Sequence, residues 1–212
     1  MAGYYTVNEA HQTEITVKKS KFLSFCFPIV DERQAEDHLN EIRKQHFKAT
    51  HNTYAYVYGK EGEHFKYSDD GEPSSTAGRP IYEAITGRNL SEVLVVVTRY
   101  FGGIKLGTGG LVRAYGSSAQ KVLDEVETVF AQKNVLMQVT LDYAQLGSFE
   151  HLVSKYDSRE KSRDFGQKVA LEIYLPIEEE ERFVKDVREL LQGTLPIRQG
   201  EAYIKKQKEK GE

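Results

Sequence analysis

Residues 93–110, VLVVVTRYFGGIKLGTGG, join the most apolar run of the chain to a loop with five glycines in nine positions. The run is apolar on both of its alternating faces, which predicts a central strand covered on each side. Beyond the glycines, Leu111, Tyr115, Ala119, Val122 and Val126 recur at helical spacing and predict a long helix packed on that strand. The loop between them, with Gly102, Gly103, Gly107, Gly109 and Gly110, has two readings. Glycine amides near a helix N-terminus can converge on an anion, with Lys105 adding a point charge and Arg99 a two-pronged donor. A tight strand-to-helix crossover asks for the same glycines. The spacing matches neither a Walker A loop nor the dinucleotide fingerprint.

Upstream, EITVKKSKFLSFCFPI (14–29) reads as one or two strands ending at Pro28. Asp31 is placed to cap a helix whose Ala35, Leu39 and Ile42 share a face. In NTYAYVYG (52–59), Thr53, Ala55 and Val57 point one way and Tyr54, Tyr56 and Tyr58 the other. HFKY (64–67) can return as its hairpin partner, and a short helical turn is expected around YEAIT (82–86). Helices over a sheet make residues 1–131 an α+β domain. A boundary is expected at AQKNV (131–135). From 135 to 212 a strand, a helix, two strands, a helix and the closing strand IRQGEAYIKKQ follow the β-α-β-β-α-β order of ferredoxin-like domains. The tail KKQKEKGE (205–212) is expected to fray.

The 29 basic and 32 acidic residues leave a net charge of -3, which argues against a strong, salt-driven grip on duplex DNA but leaves room for a local basic patch. No apolar run approaches the roughly 20 residues that cross a bilayer. The start MAGYYTVNEAHQTEI lacks the basic and apolar regions of a signal peptide, so the cytoplasm and no membrane partner are expected. Cys26, the single cysteine, reads as a buried small hydrophobe inside FLSFCFPI.

YSDDGEPSSTAGRP (67–80) is the second stretch that carries chemistry. Asp69, Asp70 and Glu72 stand too close together for all three to be buried without neutralising partners. They read as a hard-metal site for Mg²⁺ or Ca²⁺, as an acid–base pair with His51 or His64, or as a turn whose side-chain oxygens bond local amides. The calcium-loop spacing is missing, the six histidines form no zinc pattern, and no nucleophile elbow exists. His51, just before the tyrosine-rich strand, is the one histidine singled out. No cofactor is expected, Mg²⁺ being the one ion kept in view.

KSKF (19–22), ATHNTYAY (49–56), YSDDGEPSSTAGRPI (67–81) and VVVTRYFGGIKLGTGGLVRAY (95–115) closely resemble the IMPACT family, with its bacterial YigZ/YvyE-type members. The match covers essentially the whole chain. The resemblance implies a ribosomal-protein-S5-domain-2-like N-terminal domain, similar also to domain IV of the translocating elongation factor. It implies a ferredoxin-like C-terminal domain resembling domain V of elongation factor G. It carries over His51, Asp69, Asp70 and Glu72 as catalytic candidates. The binding candidates are Arg99, Gly102, Gly103, Lys105, Gly107, Gly109 and Gly110, joined by Ser68, Thr76 and Arg113. Members commonly show Ser-Gly-Thr where this chain has Ser74-Ser75-Thr76, a change that narrows the loop's backbone options. The eukaryotic namesake regulates translation by interfering with activation of an initiation-factor kinase, partly through an extra N-terminal domain. That partner is not transferred here.

The implied function is a translation-associated regulatory protein that binds RNA, the ribosome or a translation factor without catalysis. The rival is an enzyme acting on a phosphorylated or anionic small molecule through the acidic and glycine-rich loops. Asp69, Asp70, Arg99 and the Gly102–Gly110 turn are expected to border one cleft, with Arg99→Ala weakening binding and leaving thermal unfolding largely unchanged. The C-terminal sheet, whose last strand carries Arg198, Lys205 and Lys206, is a further candidate surface for RNA or protein.

Overall fold

The most apolar run becomes a strand in the middle of a sheet, because neither of its faces can meet water. In the computed structural model, which describes residues 2–206, the chain runs through β1 (Gly3–Val7), β2 (His11–Val17), β3 (Ser20–Pro28), α1 (Glu32–Gln45), β4 (His51–Tyr58) and β5 (His64–Ser68). It continues through α2 (Gly78–Thr86), β6 (Val93–Tyr100), α3 (Thr108–Glu125), β7 (Thr128–Leu141), α4 (Leu146–Val153), β8 (Arg159–Phe165), β9 (Val169–Pro176), α5 (Glu180–Leu190) and β10 (Ile197–Lys206). This is an α+β structure with two sheets. It divides into two compact units, Tyr4–Phe130 and Ala131–Lys206 with Gly3.

One sheet has the order β2-β3-β6-β4-β5. On one side of β6, Val93, Val95 and Val97 pack with Ile81 and Ile85 of α2 and with Leu111, Tyr115, Ala119 and Val122 of α3. On the other, Leu94 and Val96 pack with Ala35, Leu39 and Ile42 of α1 and with Tyr54 and Tyr56. Each such side chain contributes about 1.5–3 kcal/mol on full burial, and both faces of the strand collect it. Asp31 accepts the Gln34 N–H at 2.8 Å and so starts α1. The antiparallel register sets Arg99 of β6 between Phe22 of β3 and His51 of β4.

The other sheet has the order β1-β7-β9-β8, with β10 also paired to β7. Phe149 of α4 and Phe183 and Val187 of α5 cover Val135, Met137, Val139, Leu171 and Ile173 of that sheet. The order β-α-β-β-α-β read from residues 135 onward is the order found.

Three local readings change. The two units divide at Ala131, within the expected boundary AQKNV, but the strand expected from residue 135 starts earlier and β7 runs through the boundary: Gln132 and Asn134 are buried, and Asn134 donates to the Gln132 carbonyl at 2.8 Å. GYYTV, which carries too little alternation to stand out, forms β1. The turn expected at YEAIT grows to the nine residues of α2. The tail lies, from residue 207 on, outside the described residues. Among the described residues no helix is long and apolar enough to cross a membrane.

Cys26 sits fully buried in β3, and burial pushes its thiol up to about 12. Very little thiolate is therefore available near pH 8. The folded protein is expected to resist a thiol reagent at that pH and to react fully once unfolded in guanidinium. Labelling of the folded protein at the rate of a free thiol would show that β3 opens.

Candidate functional site

The acidic loop between β5 and α2 is organised from within. The Asp69 carboxylate accepts three backbone N–H groups, from Ser75 at 2.8 Å and from Ala77 and Gly78 at 2.9 Å, and so closes the loop onto the start of α2. Asp70, with φ of 45°, accepts the Asn52 N–H of β4 at 2.6 Å, and its own N–H reaches Ser68 Oγ at 3.2 Å. Thr76 is buried and donates its hydroxyl to the Pro73 carbonyl at 2.6 Å. Ser75 stands at φ 61°, in the left-handed region that favours glycine, the residue the resemblance implies there.

Glu72 turns the other way, into the core. Its side chain is 4% exposed and that of Arg99 6%, and Arg99 Nη1 donates to Glu72 Oε1 at 2.6 Å. The Tyr115 hydroxyl of α3 donates to the same oxygen at 2.7 Å. Burial, and next the hydrogen bond to the Glu72 carboxylate, push the Tyr115 hydroxyl far above the usual phenol range. The Arg99 guanidinium lies between the rings of Phe22 and Phe101, at 5.6 and 5.5 Å. Its Nη2 reaches Ser20 Oγ at 3.5 Å, while its buried Nε has no partner among the described residues. His51 completes the group. Its Nδ1–H donates to the Asp70 carbonyl at 2.7 Å, since a carbonyl oxygen only accepts, and its Nε2 faces Glu72 Oε1 at 3.8 Å.

The glycine-rich loop splits into positions with different duties. At Gly102 a Cβ would fall 2.0 Å from the Lys19 carbonyl carbon, so only glycine lets this loop lie against the β2–β3 turn. Gly107, at φ 74°, leads into α3. Gly103 and Lys105 are exposed in the loop, and Gly109 and Gly110 form the first turn of α3 ahead of the exposed Arg113. Between the β2–β3 turn and α3 lies a cavity of about 190 Å³, with Lys18, Leu106, Gly110, Arg113 and Ser117 in its walls.

The expected open cleft therefore separates into two features. Glu72, Arg99 and His51 do come together, but Glu72 and Arg99 are closed off from water, and Asp69 and Asp70 are committed to backbone N–H groups. Gly110 and Arg113 line the cavity beside Lys18 instead, and Lys105 is exposed in the loop. The contributions of Tyr115, Ser20, Lys18 and Lys19 were not anticipated. Arg99 shares the strand phase of Val95 and Val97, which puts it on the side of β6 that α2 and α3 cover.

Arg99→Ala would leave the Glu72 carboxylate buried without its cation, and is expected to destabilise by about 3–5 kcal/mol. The expectation of unchanged unfolding is thereby reversed. Urea denaturation decides it: a loss under about 1 kcal/mol would place the pair in solvent. Ser75→Gly is expected to do the opposite. Relief of left-handed strain, less the entropy that glycine loses on folding, should stabilise by about 0.5–1 kcal/mol in the same assay.

With this geometry in hand, comparison with known proteins is direct. Residues 18–123 match the Impact N-terminal domain, and residues 139–194 match a domain of unknown function, DUF1949. The IMPACT family member YvyE of Bacillus subtilis (strain 168) is 39% identical over 96% of this chain and 94% of its own length. The IMPACT family member YigZ of Escherichia coli (strain K12) is 33% identical over 85% of this chain and 90% of its own. Protein IMPACT of Oryctolagus cuniculus is 33% identical over 46% of this chain and 32% of its own length. A solved structure described as the crystal structure of an hypothetical protein superposes with a TM-score of 0.63 and 29% identity, covering 96% of this chain and 98% of that one. The chain belongs to the IMPACT family.

Proposed function

We propose that this chain is a translation-associated protein that works by binding RNA and not by catalysis. The observation that carries the reading is how the charges are distributed. The carboxylates that a metal or acid–base mechanism would need are committed to the fold, Asp69 and Asp70 to backbone N–H groups and Glu72 to Arg99 and Tyr115. The cations Lys18, Lys19, Lys105 and Arg113 are exposed instead. Exposed lysine and arginine position phosphate backbones, and the resulting grip is sequence-tolerant and salt-dependent.

The fold reading agrees. The β-α-β-β-α-β order with β10-β7-β9-β8 as neighbours supports a ferredoxin-like domain from Ala131 onward. The sheet covered by α1 on one face and by α2 and α3 on the other supports the S5-domain-2-like reading of the first unit. Both resemble parts of proteins that work on the ribosome, and the cytoplasm is the compartment this asks for. Fold likeness supplies no reaction, and the enzyme reading keeps only His51 as a partly exposed general base.

Sedimentation with purified ribosomes is the test. The chain is expected to pellet with them near 50 mM salt and to leave them as salt rises toward about 200 mM. Absence from the pellet at both salt concentrations would end the translation reading.

A further inference from the structure

The β2–β3 turn is costly for what it connects. Val17 pairs with Ser20, so Lys18 and Lys19 are the two central residues of a two-residue hairpin loop. Both lie in the left-handed region, at φ 45° and 67°. Such turns draw Asn-Gly, because any longer side chain carries strain at either position. Here lysine fills both, and both side chains are exposed, so they bury no apolar surface in return. Strained backbone clusters at ligand-binding positions, though exposed Asn89 and Gln192 are left-handed too, so the turn's surroundings must carry the argument.

The turn is also held in place. The Gly102 backbone lies against Lys19, and the Gly102 N–H donates to Ser20 Oγ at 3.1 Å. Lys18 is thereby fixed at the rim of the 190 Å³ cavity, opposite Gly110, Arg113 and Ser117 of α3. No carboxylate and no aromatic ring lines that cavity. Among the described residues Lys18, Lys19, Lys105 and Arg113 form no ion pair, a condition they share in the same unit with Arg33, Arg43, Lys44 and Lys48, and of all these only Lys18 and Arg113 line this cavity. The first turn of α3, with no side-chain cap, adds favourable backbone dipoles on the same side.

We infer that this groove is where the chain holds RNA, and that it takes the phosphodiester backbone of a single strand. Lys18 and Arg113 each meet a phosphate oxygen, the Ser117 hydroxyl donates to the same backbone, and Lys19 and Lys105 extend the contact along it. With no ring to stack on a base, the groove reads no sequence. The inference rests on the RNA-binding reading above and adds the place and the chemistry of the contact.

The turn supplies its own control, because Lys18→Asn/Lys19→Gly gives the residues that the hairpin prefers. Binding of the full chain to a labelled uridine homopolymer is measured across a salt series for the wild type, for this double variant and for Arg113→Gln. The double variant should melt roughly 2–4 °C higher yet bind more weakly. Its plot of log affinity against log salt should flatten by about 1.4, at about 0.7 for each lost phosphate contact. Arg113→Gln should flatten it by about 0.7. Wild-type binding whose slope survives in both variants would overturn the groove and leave the RNA reading standing. No salt-dependent binding by the wild type would overturn both. A polyglutamate peptide that binds more tightly than the RNA, and is lost in the same variants, would assign the groove to an acidic protein and overturn the inference.

Discussion

Arg99 and Glu72 are both almost wholly withdrawn from water, and neither could remain so without the other. Taking a charge out of solvent costs several kcal/mol, and a direct contact repays this only when the remaining hydrogen-bonding capacity is also met. Here Tyr115, Ser20 and two aromatic faces supply most of what is needed, and the unpartnered Arg99 Nε shows that the account is not fully closed. This one pair joins the acidic loop to the central strand and, through Tyr115, to the long helix. With Glu72 anchored inside, the loop has to fold back over its own backbone, and Asp69 and Asp70 are the acceptors that make that fold affordable. The polarity of the segment follows from this anchoring, with no bound ligand required to explain it.

Four of the left-handed residues divide into two kinds. Asp70 and Ser75 are strained but repaid locally, the first by accepting the Asn52 N–H and the second by donating to Asp69. Lys18 and Lys19 are strained while their side chains form no hydrogen bond or ion pair among the described residues and lie exposed. Strain repaid by the loop that contains it is a structural matter. Strain left unrepaid beside a groove bare of carboxylates calls for something outside the chain.

Much of the fold was legible in the sequence because it rests on short periods. The two-residue alternation of β4, the doubly apolar β6 and the helical stripe from Leu111 to Val126 each report burial on their own. AQKNV marked where the units divide but hid the start of β7, because Gln132, Lys133 and Asn134 interrupt the apolar run and their strand shows only in backbone pairing with other strands. The site was half legible. Residue types pointed to the acidic loop and to Arg99, and its place at the end of a strand apolar on both faces left it little access to water on either side. What local pattern does not carry is its partner, 27 positions away, so an internal ion pair was read as an open cleft. The hairpin lysines were hidden for the same reason. Their strain exists only once Val17 is known to pair with Ser20.

A net charge of -3 and a basic groove are compatible because charge acts locally in salt. At physiological ionic strength the screening length is about 8 Å, so a phosphate in the groove responds to Lys18 and Arg113 and hardly to carboxylates on distant surfaces. The acidic remainder still matters at longer range. It weakens the attraction felt along a stiff duplex, which must lie over more of the surface, and penalises a single flexible strand less, since that strand can enter the groove and bend away from the rest. The same balance limits how many phosphates can be held at once, and few contacts mean rapid release. On the proposed reading, such a groove would suit brief, sequence-tolerant contact with a single RNA strand that releases as readily as it forms.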